Sequence, residues 1–303
     1  MKHIFVINPT AGKSDSTEFI REQLKKTCAD KEYEIYVTKA PGDTSEFVDK
    51  RCASDPDDIR FYACGGDGTL NGVVNGAAPH KNASVSCYPC GSGNDFVKYY
   101  GGKERFLDLR ALMEAEDELI DVMEVNGKYC VNVCNFGFDT AVAKTISKNK
   151  TKPFMGGKNA YYAGVVHALI HAMKTDGTVK VDGEEFFSGS FLLCTIANGT
   201  YVGSSFKCAP RSENNDGLME VCLVKTISRP KFVSLIGSYT KGEHLDDPRF
   251  DSCILYRRGK TIEISSDTPG FAYTLDGEIV ENSSFTVNTL ATSLRFAVPK
   301  ISE

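Results

Sequence analysis

Three glycines surround one carboxylate in the sequence ACGGDGTLNGVVNG, which occupies residues 63–76. The glycines are Gly65, Gly66 and Gly68. Glycine adopts a positive φ without a steric penalty, so this backbone can turn tightly and point several N–H groups at an anion. Asp67 would repel a phosphate there unless a divalent cation or a transferring proton lay between the two charges. The segment therefore indicates metal-assisted phosphoryl chemistry, with an ordinary glycine–aspartate turn as the alternative.

A second glycine loop follows a later apolar segment and reads CGSGNDFVK over residues 90–98. It offers the Ser92 hydroxyl, the Asn94 amide and the Asp95 carboxylate as ligand groups. A third polar loop, NPTAGK at residues 8–13, follows the first apolar segment of the chain. Because α/β sheets bind ligands at the carboxyl ends of their parallel strands, we expect these loops to face one cleft.

The elements that carry these loops alternate between strand and helix through the first third of the chain. Apolar runs predict strands near residues 3–8, 33–38, 59–63 and 84–88. Two capping boxes predict helix starts, at Asp15 with Glu18 and at Asp43 with Glu46, and a cap at Thr69 predicts another. A further helix is predicted over residues 105–116. This alternation predicts a largely parallel sheet with right-handed crossovers.

After residue 128 the pattern changes to short β-prone segments separated by turns, which predicts an antiparallel sandwich. Two helices are predicted within it, near residues 159–174 and 230–241, each with an apolar stripe that we expect to face the core. His167 and His171 share the first of these helices at i, i+4 spacing. Ala168 stands where a zinc protease needs its glutamate, so we interpret both histidines as structural or solvated.

Composition and charge exclude several functional classes. The net charge of −5 and the pI near 5.7 leave no basic excess for general nucleic-acid binding. Eleven cysteines, an odd number, without a secretory leader indicate a reducing cytosol. Cys87 and Cys90 have zinc-knuckle spacing but lack a second pair, so buried apolar thiols are the favoured interpretation. No run of about 18 apolar residues predicts a membrane span.

Asp276 lies between two β-prone segments in the sequence LDGE. Gly277 permits a sharp turn that would aim the carboxylate across the cleft, where phosphoryl transfer needs a group to accept the proton of the attacking hydroxyl. Asp276-Gly277 is equally the composition of a simple hairpin turn. The local sequence alone favours the hairpin.

Six motifs in this order resemble the bacterial soluble lipid kinases of the diacylglycerol kinase catalytic-domain family, relatives of sphingosine and ceramide kinases. The motifs are NPTAGK, GGDGTLNGVVNG, CGSGNDFVK, NFGFDTAVA, APRSENNDGLMEV and LDGE. They span nearly the whole chain. NAD kinases share GGDGT, whereas GSGNDF and LDGE distinguish the lipid kinases from them.

The resemblance implies two domains: an α/β ATP-binding domain of residues 1–124 plus about 290–303, and a β-sandwich domain of residues 125–289. It also implies that the C-terminal strand, near residues 290–298, returns to the first domain. The implied reaction is Mg²⁺-dependent transfer of the ATP γ-phosphoryl group to a lipid hydroxyl, with diacylglycerol as the leading acceptor. The alternatives are another lipid (a sphingoid base, a ceramide-like lipid or phosphatidylglycerol), a soluble acceptor such as NAD, and a nucleotide-binding regulator without turnover.

The resemblance also implies roles for individual residues. The nucleotide cradle would comprise Asn8, Thr10, Gly65, Gly66, Asp67, Gly68, Thr69, Gly91, Ser92, Asn94 and Asp95. The catalytic set would be Asp276 as general base, its neighbour Glu278, and Asp67. The metal set would be Asp95, Asp121 in an aspartate–water–Mg²⁺ network, and Asp216 with either Asn214 or Asn215 at a second, structural site. Many relatives carry two aspartates where this chain has Asn215-Asp216, and the missing charge should weaken that site.

A lipid acceptor requires an approach to a bilayer, which predicts a cytoplasmic enzyme held peripherally at the inner membrane face. Five lysines cluster with two apolar residues, and no acidic side chain lies among them. They are Lys144, Lys148, Lys150, Lys152 and Lys158, with Phe154 and Met155. Such a patch could dock on anionic headgroups, and a solvated loop is the alternative. Exposed strand edges could also mediate a homodimer.

Overall fold

The computed structural model describes residues 1–149 and 158–300. The helices are α1 (Thr17–Thr27), α2 (Asp43–Ser54), α3 (Asp67–Ala77), α4 (Leu109–Glu114), α5 (Phe138–Asn149), α6 (Lys158–His171) and α7 (Arg229–Lys241). The strands are β1 (Lys2–Ile7), β2 (Glu34–Val37), β3 (Ile59–Gly65), β4 (Ala83–Pro89), β5 (Glu116–Val125), β6 (Lys128–Cys130), β7 (Val133–Gly137), β8 (Thr175–Val181), β9 (Glu184–Ala197), β10 (Met219–Lys225), β11 (Ile254–Gly259), β12 (Thr261–Ser265), β13 (Ala272–Leu275), β14 (Glu278–Glu281) and β15 (Ser284–Val298).

The first part of the chain forms a parallel sheet in the order β2-β1-β3-β4. Strands β3 and β4 are buried along their whole length. Their nearly continuous apolar sequence is typical of strands covered on both faces. A core of aliphatic and aromatic side chains joins this sheet to helices α1 to α4. The carboxyl ends of β1, β3 and β4 consequently lie side by side and carry the three polar loops.

Strand β15 runs through both parts of the molecule. Its C-terminal half pairs in parallel with β4, with Arg295 opposite Ser84, while its N-terminal half pairs with β12. It also pairs antiparallel with β5 on both sides of an irregularity between Leu290 and Leu294. The predicted return of the C-terminal strand to the first domain is confirmed.

The remaining strands are antiparallel and continue the sheet as β14-β13-β7-β9-β8-β12, with β10 and β11 beside β9. One apolar core lies within this β-rich part. Another lies between its strands and helices α5 and α7, and apolar side chains of α6 pack against it. The predicted fold class, an α/β nucleotide-binding domain followed by a β-rich sandwich domain, is confirmed.

Several local predictions were wrong. Residues 105–116 do not form one helix: a 3₁₀ turn over Lys103–Phe106 precedes α4, whose cap is the Asp108 carboxylate. Neither capping box forms, because α1 begins after Ser16 and Asp43 is itself the first residue of α2. Asp43 instead accepts hydrogen bonds from the Tyr36 hydroxyl and the Lys39 amide.

The helices of the second part also differ from prediction. Helix α5 was not predicted, since its apolar start continues the β-prone pattern of β7. On α6 the stripe is narrower than expected: Val165 and Leu169 pack on the core, whereas Val166 and Ile170 are 55% and 57% exposed. Of the predicted basic patch, Lys144 and Lys148 lie on α5 and Lys158 is the first residue of α6, while Lys150, Lys152, Phe154 and Met155 lie outside the described residues. Within the described ranges, no helix is long and apolar enough to cross a bilayer.

Candidate active site

The two glycine loops touch each other through their backbones. A Cβ on Gly91 would lie 2.3 Å from the Gly66 Cα, and a Cβ on Gly65 would lie 2.2 Å from the Thr69 hydroxyl oxygen. The amides of Cys90 and Gly91 both donate to the Gly65 carbonyl, at 3.0 and 3.1 Å. Only glycine fits such contacts, so the glycine spacing of both motifs has a direct steric reason.

Asn8 joins the first polar loop to the glycine loop. Its amide donates to the Thr69 hydroxyl at 3.1 Å, and its side-chain carbonyl accepts from the amide and hydroxyl of Thr10 at 3.0 and 2.8 Å. Thr69 lies inside the first turn of α3 and the N-cap position is Gly66, so the predicted Thr69 cap was wrong. The Thr69 hydroxyl instead accepts the hydrogen bond that fixes Asn8.

These loops border a cavity of about 780 Å³, here termed the loop cavity. The predicted cradle residues that line it are Asn8, Thr10, Gly66, Asp67, Gly68, Thr69, Gly91 and Ser92. Glu278 lines the same cavity, and its Oε1 would lie 3.8 Å from a Cβ on Gly68. The α3 N-terminus opens there, so unpaired amides and the helix dipole favour an anionic ligand.

Asp67 is held by the second glycine loop. Its Oδ1 accepts hydrogen bonds from the backbone amides of Asp95 at 2.6 Å and Phe96 at 3.4 Å. Burial, together with the nearby charges of Asp95 and Asp276, raises the pKa of the Asp67 carboxyl to about 6. A carboxyl poised near neutral pH is suited to accepting a proton during catalysis.

Asp95, a predicted metal ligand, already has a cation beside it. Lys98 forms an ion pair with its Oδ1, and both carboxylate oxygens accept from the Ser204 amide at 3.1 Å. Asn94, with a positive φ of 49°, turns its amide onto the Gly91 carbonyl at 2.8 Å. The structure therefore gives Asp95 and Asn94 a role in holding the loop, which the sequence pattern did not reveal.

Asp276 and Gly277 form a two-residue hairpin turn between β13 and β14, with φ values of 47° and 91°. Asp276 is thus part of a hairpin turn, and its carboxylate also points at the 130–133 turn. Its oxygens accept from the amides of Val131, Asn132 and Val133 at 3.0 to 3.1 Å, from the Cys130 thiol at 3.0 Å and from the Asn71 amide at 3.2 Å. A carboxylate has about four acceptor sites, so the chain itself occupies them.

Asn71 and Asn75 were not singled out from the sequence. They lie one turn apart on α3, and both side-chain amides donate to the Tyr129 carbonyl, at 3.1 and 2.8 Å. The Tyr129 amide donates back to Asn75 Oδ1 at 2.9 Å. The helix that opens at the glycine loop is thus bonded to β6 and to Asp276. Two asparagines at i, i+4 within a helix, where asparagine has low propensity, were the available signal.

A second cavity, here termed the apolar cavity, has a volume of about 440 Å³. Side chains of α5, α6, α7, β9 and β10 line it, including Val142, Ile146, Leu193 and Ile236. Three carboxylates also line it: Asp67, Asp95 and Asp276. Among the described lining residues, Asp67 alone belongs to both cavities. Asp67 therefore lies where an anion in the loop cavity would meet an apolar ligand.

Asp139 is a fourth carboxyl in the apolar cavity and was not assigned a role from the sequence. It lies in the first turn of α5, and burial raises its pKa to about 6. Asn132 and Asn135 line the same cavity, and their side-chain carbonyl oxygens lack a hydrogen-bond partner within the described residues. These polar groups leave the cavity able to orient a polar group on an otherwise apolar ligand.

The remaining predicted metal ligands lie apart from both cavities. Asp121 is fully buried, and its two oxygens accept from the amides of Gly217 and Thr292, both at 2.6 Å. Asp216 forms an ion pair with Arg258, and Asn215 is exposed. Across residues 1–149 and 158–300, no three histidine, cysteine or acidic side chains form a metal-binding group. The metal roles of Asp121, Asn215 and Asp216 stay predictions.

Comparisons with known proteins cover the whole of this architecture. Residues 2–125 match the diacylglycerol kinase catalytic domain, and residues 132–298 match the YegS C-terminal NAD kinase beta sandwich-like domain. A diacylglycerol kinase of Bacillus subtilis is 29% identical over 283 residues, covering 90% of this chain and 88% of its own. A probable lipid kinase YegS-like of Alcanivorax borkumensis is 27% identical, covering 89% and 88%. The crystal structure of a putative diacylglycerol kinase from Bacillus anthracis superposes with a TM-score of 0.76 at 21% identity, covering 98% and 96%.

Proposed function

Since the chain belongs to the diacylglycerol kinase catalytic-domain family and is a lipid kinase, we propose that it transfers the γ-phosphoryl group of ATP to the free hydroxyl of diacylglycerol. The observation that carries this proposal is the position of Asp67, which lines both the loop cavity and the apolar cavity. Phosphoryl transfer requires the donor phosphate and the acceptor hydroxyl to meet in line at one point.

The loop cavity is the nucleotide site in this proposal. Its volume of about 780 Å³ lies within the ordinary range for a cofactor site. The phosphates would lie against the α3 N-terminus and the amides of the two glycine loops. Asn8 and Thr10, already fixed by their mutual hydrogen bonds, would border the same phosphates.

The apolar cavity is the acceptor site. Its lining of aliphatic and aromatic side chains suits hydrocarbon tails, whereas the polar rings of a soluble acceptor such as NAD would find few partners along it. This contrast favours a lipid over NAD. The polar groups at Asn132, Asn135 and Asp139 would orient the backbone of the lipid headgroup so that its free hydroxyl reaches Asp67.

Asp67, in our proposal, accepts the proton of the attacking hydroxyl. Its Oδ1 is held by the Asp95 and Phe96 amides, while no hydrogen bond within the described residues engages its Oδ2. Asp276 resembles the family's general base in sequence, but its oxygens already accept from five donors. We assign Asp276 a positioning role: its charge orders the 130–133 turn and the Asn71 amide at the edge of the acceptor site.

Mg²⁺ would accompany the nucleotide. Two carboxylates line the loop cavity, Asp67 and Glu278, which is fewer than a resident metal site requires but suits a cation that arrives on the ATP phosphates. The Glu278 side chain makes no hydrogen bond within the described residues and would hold the metal complex. When bound, Mg²⁺ would supply positive charge that offsets the negative charge of the phosphate oxygens.

Contact with an anionic membrane surface at the cytoplasmic face remains part of the proposal. Three apolar side chains on the helices beside the apolar cavity are exposed: Val166 and Ile170 on α6, and Val233 on α7 at 64%. The Arg229 side chain donates to the Leu169 and Ile170 carbonyls and so joins the end of α6 to the start of α7. Such exposed apolar groups, together with the exposed Lys148 on α5, suit an interfacial approach. A homodimer through an exposed sheet edge stays a prediction.

The test is transfer of labelled phosphate from Mg-ATP to a lipid panel in anionic mixed micelles, with NAD in a parallel reaction. We expect labelled phosphatidic acid, and roughly 100-fold less of it with Asp67→Asn. If a sphingoid base, a ceramide or phosphatidylglycerol is labelled instead, the acceptor is a different lipid and the proposed mechanism stands. Labelling of NAD alone, or of nothing while ATP still binds, would refute the lipid kinase assignment of the apolar cavity.

A further inference from the structure

We infer that Arg258 supplies the positive charge that the family resemblance assigns to a structural metal ion beside Asp216, so that this chain needs no metal there. Arg258 lies on β11 directly opposite Glu220 of β10. Residues opposite each other on paired antiparallel strands project on the same face and contact one another. The guanidinium forms one ion pair with Asp216 and another with Glu220, the latter with its Nε 2.9 Å from Oε1.

The surroundings of the Arg258 guanidinium explain why a cation is needed. The Glu220 side chain is only 2% exposed, and that of Asp216 is 21% exposed. Two carboxylates this close, one of them buried, repel each other unless a positive charge lies between them. Arginine suits this position because its planar guanidinium stays charged and can contact two carboxylates at once.

The neighbouring groups do not fit a metal ion. Mg²⁺ takes six oxygen ligands in near-octahedral geometry. Each oxygen of Asp121 already accepts a hydrogen bond from a backbone amide, so two of its roughly four acceptor sites are taken by the chain itself. The Asn214 carbonyl accepts from the Asp121 amide at 2.7 Å, and its side-chain amide donates to the Tyr100 hydroxyl. Asp216 and Glu220 are then the acidic groups left, and Arg258 forms an ion pair with each of them.

The Arg258 guanidinium also joins separate segments of the chain, as a structural metal ion would. Arg258 holds Asp216, and the next residue, Gly217, donates its amide to Asp121 of β5. Asp121 in turn accepts from Thr292, which has a positive φ of 44° in the irregular part of β15. A chain of contacts therefore runs from β11 through the 214–217 loop to the strand that joins the two parts of the molecule.

The test is thermal unfolding of the full chain without nucleotide, in EDTA and in excess MgCl₂, with metal content measured on the same preparation. We expect the wild-type melting temperature to agree within about 1 °C between the two buffers, with no stoichiometric metal. Arg258→Met should melt roughly 5 °C or more below wild type, since it leaves Glu220 buried without a counter-charge. The matched control is Arg257→Met, because Arg257 projects on the other face of β11 and pairs with the exposed Glu184.

Two results would overturn the inference. One is a wild-type melting temperature that falls by several degrees in EDTA together with one metal ion per chain. The other is an Arg258→Met protein as stable as Arg257→Met. If Arg258→Met does not fold, Arg258→Lys takes its place in the test. Lysine keeps the charge without the planar fork, so Arg258→Lys should fold with a melting temperature below that of the wild type. The EDTA comparison needs only the wild type. Neither measurement depends on the acceptor, so failure here is distinguishable from failure of the proposed function.

Discussion

Replacing Asp67 by asparagine should stabilise the protein while stopping its reaction. The carboxyl at this position has a pKa of about 6, compared with a usual value of 3.8, chiefly because it is buried. Each pKa unit corresponds to 1.36 kcal/mol, so the ionised group costs the folded state about 3 kcal/mol. Asparagine removes that charge and keeps a side-chain oxygen for the Asp95 and Phe96 amides.

The sign of the pH dependence follows from the direction of this shift. The folded state binds the Asp67 proton more tightly than the unfolded state does, so the contribution of Asp67 to the unfolding free energy falls as pH rises from about 4 to about 6 and is level above. In EDTA and without nucleotide, urea unfolding at pH 7.5 should therefore show Asp67→Asn to be more stable than wild type by up to about 3 kcal/mol. At pH 4 the two proteins should be equally stable.

Activity gives the second half of this test. If Asp67 accepts the hydroxyl proton, kcat/KM for the lipid should rise with pH through about 6 and then level off in the wild type. Asp67→Asn should lose roughly 100-fold or more in turnover. Asp139→Asn is the matched comparison for stability, because burial raises the pKa of Asp139 to about 6 as well. Two results would refute the reasoning. One is a stability gain of Asp67→Asn over wild type that is no larger at pH 7.5 than at pH 4. The other is normal turnover by Asp67→Asn.

Three further substitutions test the geometry of the site. Gly91→Ala should weaken ATP binding at least 10-fold by calorimetry, since its Cβ would lie 2.3 Å from the Gly66 Cα, whereas Gly237→Ala, with no atom within 4 Å of its Cβ, should bind ATP normally. Ile146→Trp should raise the KM for the lipid at least 5-fold without changing the KM for ATP, because it fills the apolar cavity; equal effects on both constants would contradict the division into two sites. Asn71→Ala should cost about 1 to 2 kcal/mol in urea unfolding through its lost bonds to Tyr129 and Asp276, and Asn71→Asp should cost more through repulsion of Asp276; the reverse order would contradict the contact.

The parts of the site that depend on neighbouring residues could be predicted from the sequence. Gly65, Gly66 and Gly91 were recognised because tight turns after apolar strands require glycine, and each contact is local or joins adjacent strands. The parallel sheet followed from the alternation of strand and helix patterns, and the returning strand followed from the resemblance to a known family. In contrast, Thr69 was misjudged as a cap because helix starts are poorly defined where a glycine precedes an acidic residue.

The electrostatics of the site could not be read from the sequence. Asp276 receives its donors from residues 130–133, which lie more than 140 positions away in the chain. Lys98 follows Asp95 at i, i+3, a spacing visible in the sequence, yet only the 3₁₀ turn over Phe96–Tyr100 brings the two charges together. Arg258 could not be linked to Asp216 at all, since 42 residues separate them. Charge partners of this kind depend on tertiary packing, which periodicity does not encode.

The route of β15 also constrains the time course of folding during synthesis. Ser86 of β4 bonds to the Ala297 carbonyl, a partner 211 residues later in the chain. At the usual elongation rate of 5 to 20 residues per second, the ribosome needs roughly 10 to 40 seconds to deliver that partner after β4 has emerged. Throughout this interval the edge of β4 has no strand beside it, and an open edge of a buried, apolar strand invites pairing with other chains. The nascent protein should therefore depend on chaperones over its second half, long after its nucleotide loops have been made.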